Sequence, residues 1–154
     1  MSTHDHAATL AKLRRALLAI FLAGALGAGI ELLLVGHTEN WRQWIPLLLI
    51  GLSLLALCMQ AVVPQALTVR IFQATMLLFL LGGGAGIVLH YQGKVEFKLE
   101  SDPALHGFEL FRAAVMGAAV PPVLAPGFMI LLGLLGLAYA YRHPALLEIN
   151  QQGE

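Results

Sequence analysis

Apolar residues fill four long runs, roughly 16–35, 45–63, 71–89 and 123–140, and polar residues are confined to the segments between them. Each run is apolar on every side of a helix. A helix of a soluble domain keeps a polar face, so this pattern excludes an ordinary soluble core. Each run is also close to the length that crosses a hydrocarbon layer of about 30 Å. The pattern therefore predicts an all-α membrane protein, a single integral domain over residues 1–154 with four transmembrane helices.

The segments between the runs add detail. Residues 36–44 form a short loop with Trp41 and Trp44 as interfacial anchors. Pro46 is expected in the first turn of the second helix, where its missing N–H costs little. Gln60 and Gln73 lie toward the ends of runs two and three, at depths where an amide bonds a neighbouring helix. Residues 91–122 are the one sizeable segment outside the runs. There Val95-Glu96-Phe97-Lys98-Leu99-Glu100 alternates apolar and polar residues, which predicts a short strand. Asp102 followed by Pro103 is a helix-start signal. Leu105, Phe108, Phe111 and Val115 continue at helical spacing, predicting an interfacial amphipathic helix over 103–118 that lies as a lid over the outer helix ends. Pro121 and Pro122 are expected to stop it.

An internal echo runs through the chain. Gly27-Ala28-Gly29-Ile30 recurs as Gly84-Ala85-Gly86-Ile87, and Pro46 and Pro64 have the same separation as Pro126 and Pro144. This predicts two tandem helical hairpins in parallel, the second carrying the outer insertion.

Composition reinforces the class: of 154 residues 58% are hydrophobic and 12% charged, where soluble domains carry about a quarter charged. Net charge is zero, so no long-range field favours nucleic acid. The distribution of charge matters more. Lys12, Arg14, Arg15, Arg70 and Arg142 sit at the ends of runs on one side. Arg42, Lys94, Lys98 and Arg112 lie on the other side with Glu39, Glu96, Glu100, Asp102 and Glu109. The positive-inside bias then predicts a multi-pass protein of the inner (plasma) membrane, with cytoplasmic N- and C-termini and residues 91–122 outside. The basic residues before the first run suit a signal peptide, but its apolar stretch is too long, so a retained helix is expected. A single cysteine, Cys58, excludes an intramolecular disulfide and a CxxC redox site.

Glu31 is the one charged side chain inside a run. Such a charge is costly in hydrocarbon and marks a polar site. Gly24, Gly27 and Ala28 lie one and two turns before it, a small-residue face that lets another helix approach. Gly82, Gly83 and Gly86 form a similar face on the third run, ending at His90. Face-to-face packing of these two stripes would bring Glu31 to His90, with His37 nearby, as a candidate intramembrane polar site.

Conventional chemistry is faint. Glu31, His37, Glu39, His90 and His106 gather toward the outer end, but no HxxH, HExxH or CxxC spacing marks a metal site, and no cofactor is expected. Ser53 stands alone in an apolar run, and the glycines of run three lack the Lys-Ser/Thr of a phosphate loop. The chain resembles small multidrug-resistance carriers only in four helices and a glutamate in the first. Its glutamate comes late in that helix, and the outer insertion departs from that pattern. Two function classes follow. The first is a non-enzymatic subunit, scaffold or oligomer-forming component, with the bilayer and a second copy or a larger membrane protein as partners. The alternative is a proton-coupled carrier or channel using Glu31.

Overall fold

A computed structural model describes residues 3–116 and 123–147. Five helices follow in order: α1 Thr3–Leu34, α2 Trp41–Val62, α3 Ala66–Ser101, α4 Gly107–Met116 and α5 Leu124–Ala140. Three of them, α1, α2 and α3, are long and apolar enough to cross a membrane. The fourth apolar helix, α5, has 17 residues. The stop expected at Pro121–Pro122 lies outside the described residues.

The helices outrun the apolar runs that announced them. The α1 helix begins at Thr3, in the polar segment. The α3 helix has 36 residues. At 1.5 Å per residue it is about 54 Å long, well beyond one hydrocarbon layer. Its extension overturns the expected strand: residues 95–100 are helical. Alternation over six residues is a weak signal, and here the segment continues a helix already nucleated in the apolar run. The α4 helix starts at Gly107, later than expected. Asp102 accepts the N–H of Ala104 at 3.1 Å, so it organises the turn between α3 and α4, not a helix start. The principal partner of α4 is α3, with Tyr91 and Phe111 in ring contact at 6.1 Å and Ala114 fully buried, so it folds back along α3 and is not a lid across the bundle.

Pro46 also differs from expectation. Asn40 caps α2 by accepting the N–H groups of Arg42 and Gln43, and the Gln43 side chain reaches back to the Asn40 N–H. This capping box starts α2 at Trp41, a turn earlier. Pro46 is therefore inside the helix, where the N–H due to the Arg42 carbonyl is missing.

Packing centres on α3 and α5, which run antiparallel and close together. The α2 helix packs on α3, and α1 packs on α5 and α2. Aromatic rings fill the middle. Phe21 of α1 meets Phe72 of α3 edge-on at 5.5 Å, and Phe72 meets Tyr139 of α5 at 5.8 Å. Phe21, Phe72 and Phe79 are fully buried. Outside this core the surface is apolar: Ile30, Leu48, Leu55, Leu81 and Leu134 are all exposed, as a lipid-facing surface requires.

The small residues explain why α3 and α5 lie so close. A methyl group placed on Gly83 would stand 2.6 Å from a side-chain carbon of Ile130 and 2.7 Å from the Pro126 carbonyl oxygen. One on Gly86 would meet Pro126 at 2.9 Å, and one on Gly133 would meet Leu80 at 2.8 Å. Glycines from both helices thus bring the backbones together, and dispersion between them replaces the hydrophobic driving force that lipid lacks.

Candidate functional site

Two polar clusters sit at opposite ends of the bundle. One is built by the stop of α1. His37 donates its backbone N–H to the Leu32 carbonyl, and Gly36 donates to Leu33, with Gly36 at φ 67°. This is a Schellman stop, and glycine takes the left-handed position without strain. It turns the chain so that the His37 ring stacks on His90 of α3, with centroids 6.4 Å apart and planes 13° from parallel. Partial burial and the neighbouring His90 together lower the His37 pKa, burial contributing more.

The candidate residues divide accordingly. His37 and His90 come together. Glu31 does not join them: it is exposed on α1, and among the described residues no hydrogen bond or ion pair links it to either imidazole. The reason is that the two small-residue faces do not meet. Gly24 receives Leu132 and Phe128 of α5, and Gly83 and Gly86 receive Pro126 and Ile130 of α5, so α5 occupies both stripes. Gly82 takes Leu49 of α2, and Ala28 is half-buried against the core. Gly27 faces open space. Glu39 and His106 are exposed. Among the described residues no three His, Cys, Asp or Glu side chains converge as a metal site.

The second cluster, at the Arg14 end, was missed in the sequence apart from its two amides. There the start of α1, the end of α2, the start of α3 and the end of α5 converge. Gln73 of α3 donates to the Ala140 carbonyl at 3.4 Å. Arg14 of α1 donates to the carbonyls of Tyr139, Tyr141 and Arg142 at 3.2–3.3 Å. The first is one of the last carbonyls of α5 and the other two belong to the turn that follows it, at the negative end of the helix, where a cation is favoured.

Gln60 of α2 is almost wholly buried here. Its amide nitrogen lies 2.9 Å from Nε2 of His143 and 3.3 Å from the Tyr139 hydroxyl. His143 Nδ1 accepts the N–H of Ala145 at 3.3 Å. A neutral imidazole accepts at one nitrogen only. Both contacts are satisfied when the Gln60 amide is turned over, so that its oxygen accepts from Nε2–H and from the Tyr139 hydroxyl; the two amide atoms are interchangeable in position. In either orientation one end of the amide is buried with no partner among the described residues. Burial, and then the Arg14 charge, hold the His143 pKa below its ordinary value. The network joins α2, α5 and the turn after α5, and the imidazole is its one group that changes charge near neutral pH.

No family model, curated protein or solved structure matches this chain.

Proposed function

We propose that this chain is a small polytopic subunit or scaffold of a membrane assembly, with no chemistry of its own, that engages a partner through the outer face of α1. One observation carries this reading. Glu31 is exposed on a stripe with Ala23 and Gly27, away from every other helix of the bundle, and nothing lies within 4 Å of where a Gly27 side chain would begin. A carboxylate facing lipid is costly, and a partner helix that supplies a donor removes the cost. The open glycine beside it lets that helix come close. The partner is a second copy or a larger membrane protein.

In this reading α5 is the fourth span. Its 17 residues give about 26 Å, which a slight local thinning of the bilayer accommodates. The basic end of the bundle faces the cytoplasm with both termini, and α4, folded back along the far end of α3, stands on the outer side with Phe108 exposed. A duplicated hairpin fits two contacts: Gly29 faces Ile50 of α2, as Gly86 faces Pro126 of α5.

The proton-coupled carrier is the second reading, since Glu31 is the one acid inside an apolar run. Its outward placement would confine the path to a boundary between copies. Two measurements separate the readings. Native mass spectrometry of the protein extracted with lipid should give a defined assembly that Glu31→Ala weakens. Proton-linked flux in liposomes that Glu31→Gln abolishes would favour the carrier instead.

A further inference from the structure

The end of α5 contains an unusual residue choice. Ala140 to His143 form a tight turn closed by the His143 N–H to the Ala140 carbonyl at 3.2 Å. Tyr141 has φ −61° and ψ 125°, and Arg142 has φ 47°. This is a type II turn, whose third position favours glycine because φ is positive. An arginine stands there instead. Arg14 holds it in place by binding the carbonyls on either side of that strained φ, those of Tyr141 and Arg142.

The consequence is a concentration of positive charge. Arg14 brings Lys12 and Arg15 of α1 to the same end, and Gln73, bonded to the Ala140 carbonyl, brings Arg70 one turn away on α3. Lys12, Arg15, Arg70 and Arg142 are exposed, and among the described residues these four and Arg14 form no ion pair. The nearest described carboxylate in sequence is Asp5, more than two turns before Arg14 on α1. The opposite end mixes its cations with acids. Four exposed cations with no ion pair among the described residues, set around an Arg14 that already binds carbonyls, offer phosphate oxygens charge-assisted donors at the mouth of apolar helices, as basic sites between membrane helices do.

We infer that the α1–α3–α5 end of the bundle is a binding site for the phosphate headgroup of an anionic phospholipid, with Arg142 as its central contact. This rests on the membrane reading above. It goes beyond the general bias of positive charge toward one side, because it requires a defined site and a glycine-favouring position given to arginine.

The test uses the full chain in nanodiscs of phosphatidylcholine, with and without phosphatidylglycerol, after flotation with vesicles of each composition. Phosphatidylglycerol should raise the melting temperature, and millimolar inorganic phosphate should not. Arg142→Gly separates ligand from fold. Glycine relaxes the turn, so this variant should melt no lower than the parent in phosphatidylcholine, yet lose at least half of the phosphatidylglycerol-induced rise. Arg70→Gln should also lose part of the rise, while Arg112→Gln at the other end keeps it. Flotation without any phosphatidylglycerol effect, an equal rise with inorganic phosphate, or an undiminished rise in Arg142→Gly would overturn the lipid site alone. Failure to float with either vesicle would overturn the membrane reading and the site with it.

Discussion

Gln60 and His143 meet 2.9 Å apart, and this contact fastens the end of α2 to the turn that follows α5. It joins residues 83 apart in sequence, and one of its partners titrates. A protonated His143 cannot accept from Ala145, and it adds a second positive charge beside Arg14.

Burial and Arg14 hold the folded-state pKa of His143 below its ordinary value of 6.5, and burial and His90 do the same for His37. The unfolded chain then binds more protons below about pH 6.5, so stability falls as pH drops through that value and continues to fall until the folded-state pKa is reached. Melting temperatures in one detergent between pH 8 and pH 5 should show this loss. It should shrink in His143→Gln and in His37→Gln, and most when both are changed.

Removing the amide is expected to cost more than removing its charge-neutral bulk. In Gln60→Leu the Tyr139 hydroxyl and the imidazole lose their shared partner while volume is kept. Leaving such groups unpaired costs on the order of 1–3 kcal/mol each, offset in part by loss of the unpartnered amide end. A net loss of about 1–2 kcal/mol, measured by denaturant or thermal unfolding, is the expected outcome. An unchanged melting temperature would show that the network contributes nothing.

Glycine positions should sort by what lies opposite. Gly83→Ala drives a methyl group against the Pro126 carbonyl, where backbone cannot give easily, and should cost about 1–3 kcal/mol. Gly27→Ala meets open space and should be neutral or stabilising by up to about 1 kcal/mol through helix propensity. Thermal unfolding of the two variants side by side checks the contrast. In an intact assembly Gly27→Leu should also weaken association, which Gly83→Ala need not do.

Much of the architecture was legible because hydrocarbon imposes a simple rule: long stretches apolar on all sides become helices. The apolar runs located α1, α2, α3 and α5. Their ends were less legible. The Asn40–Gln43 capping box lies in a segment whose two tryptophans read as loop anchors, and the extension of α3 past Tyr91 carries the polar residues that suggested a strand. Gln60 and Gln73 signalled inter-helix bonds correctly, because a buried amide must find partners. Their partners were not legible. His143 and Tyr139 read only as helix-exit residues, and which exit faces which amide depends on the antiparallel register of α5. The expected Glu31–His90 pair failed for the same reason: a small-residue stripe says that something packs there, not which helix, and α5 took both stripes.

Photo-crosslinking reads directly whether the Glu31 face of α1 meets a protein partner in the membrane. A photoreactive side chain replaces Ile30 on that face, or Leu55 on the lipid-facing side of α2, both exposed in the bundle. Irradiation of native membranes should yield a discrete protein adduct from position 30, either a second copy or a larger subunit, that Glu31→Ala diminishes, and lipid adducts alone from position 55. Lipid adducts alone from both positions would rule out a protein partner on this face and leave Glu31 as a carboxylate that reaches the headgroups by itself.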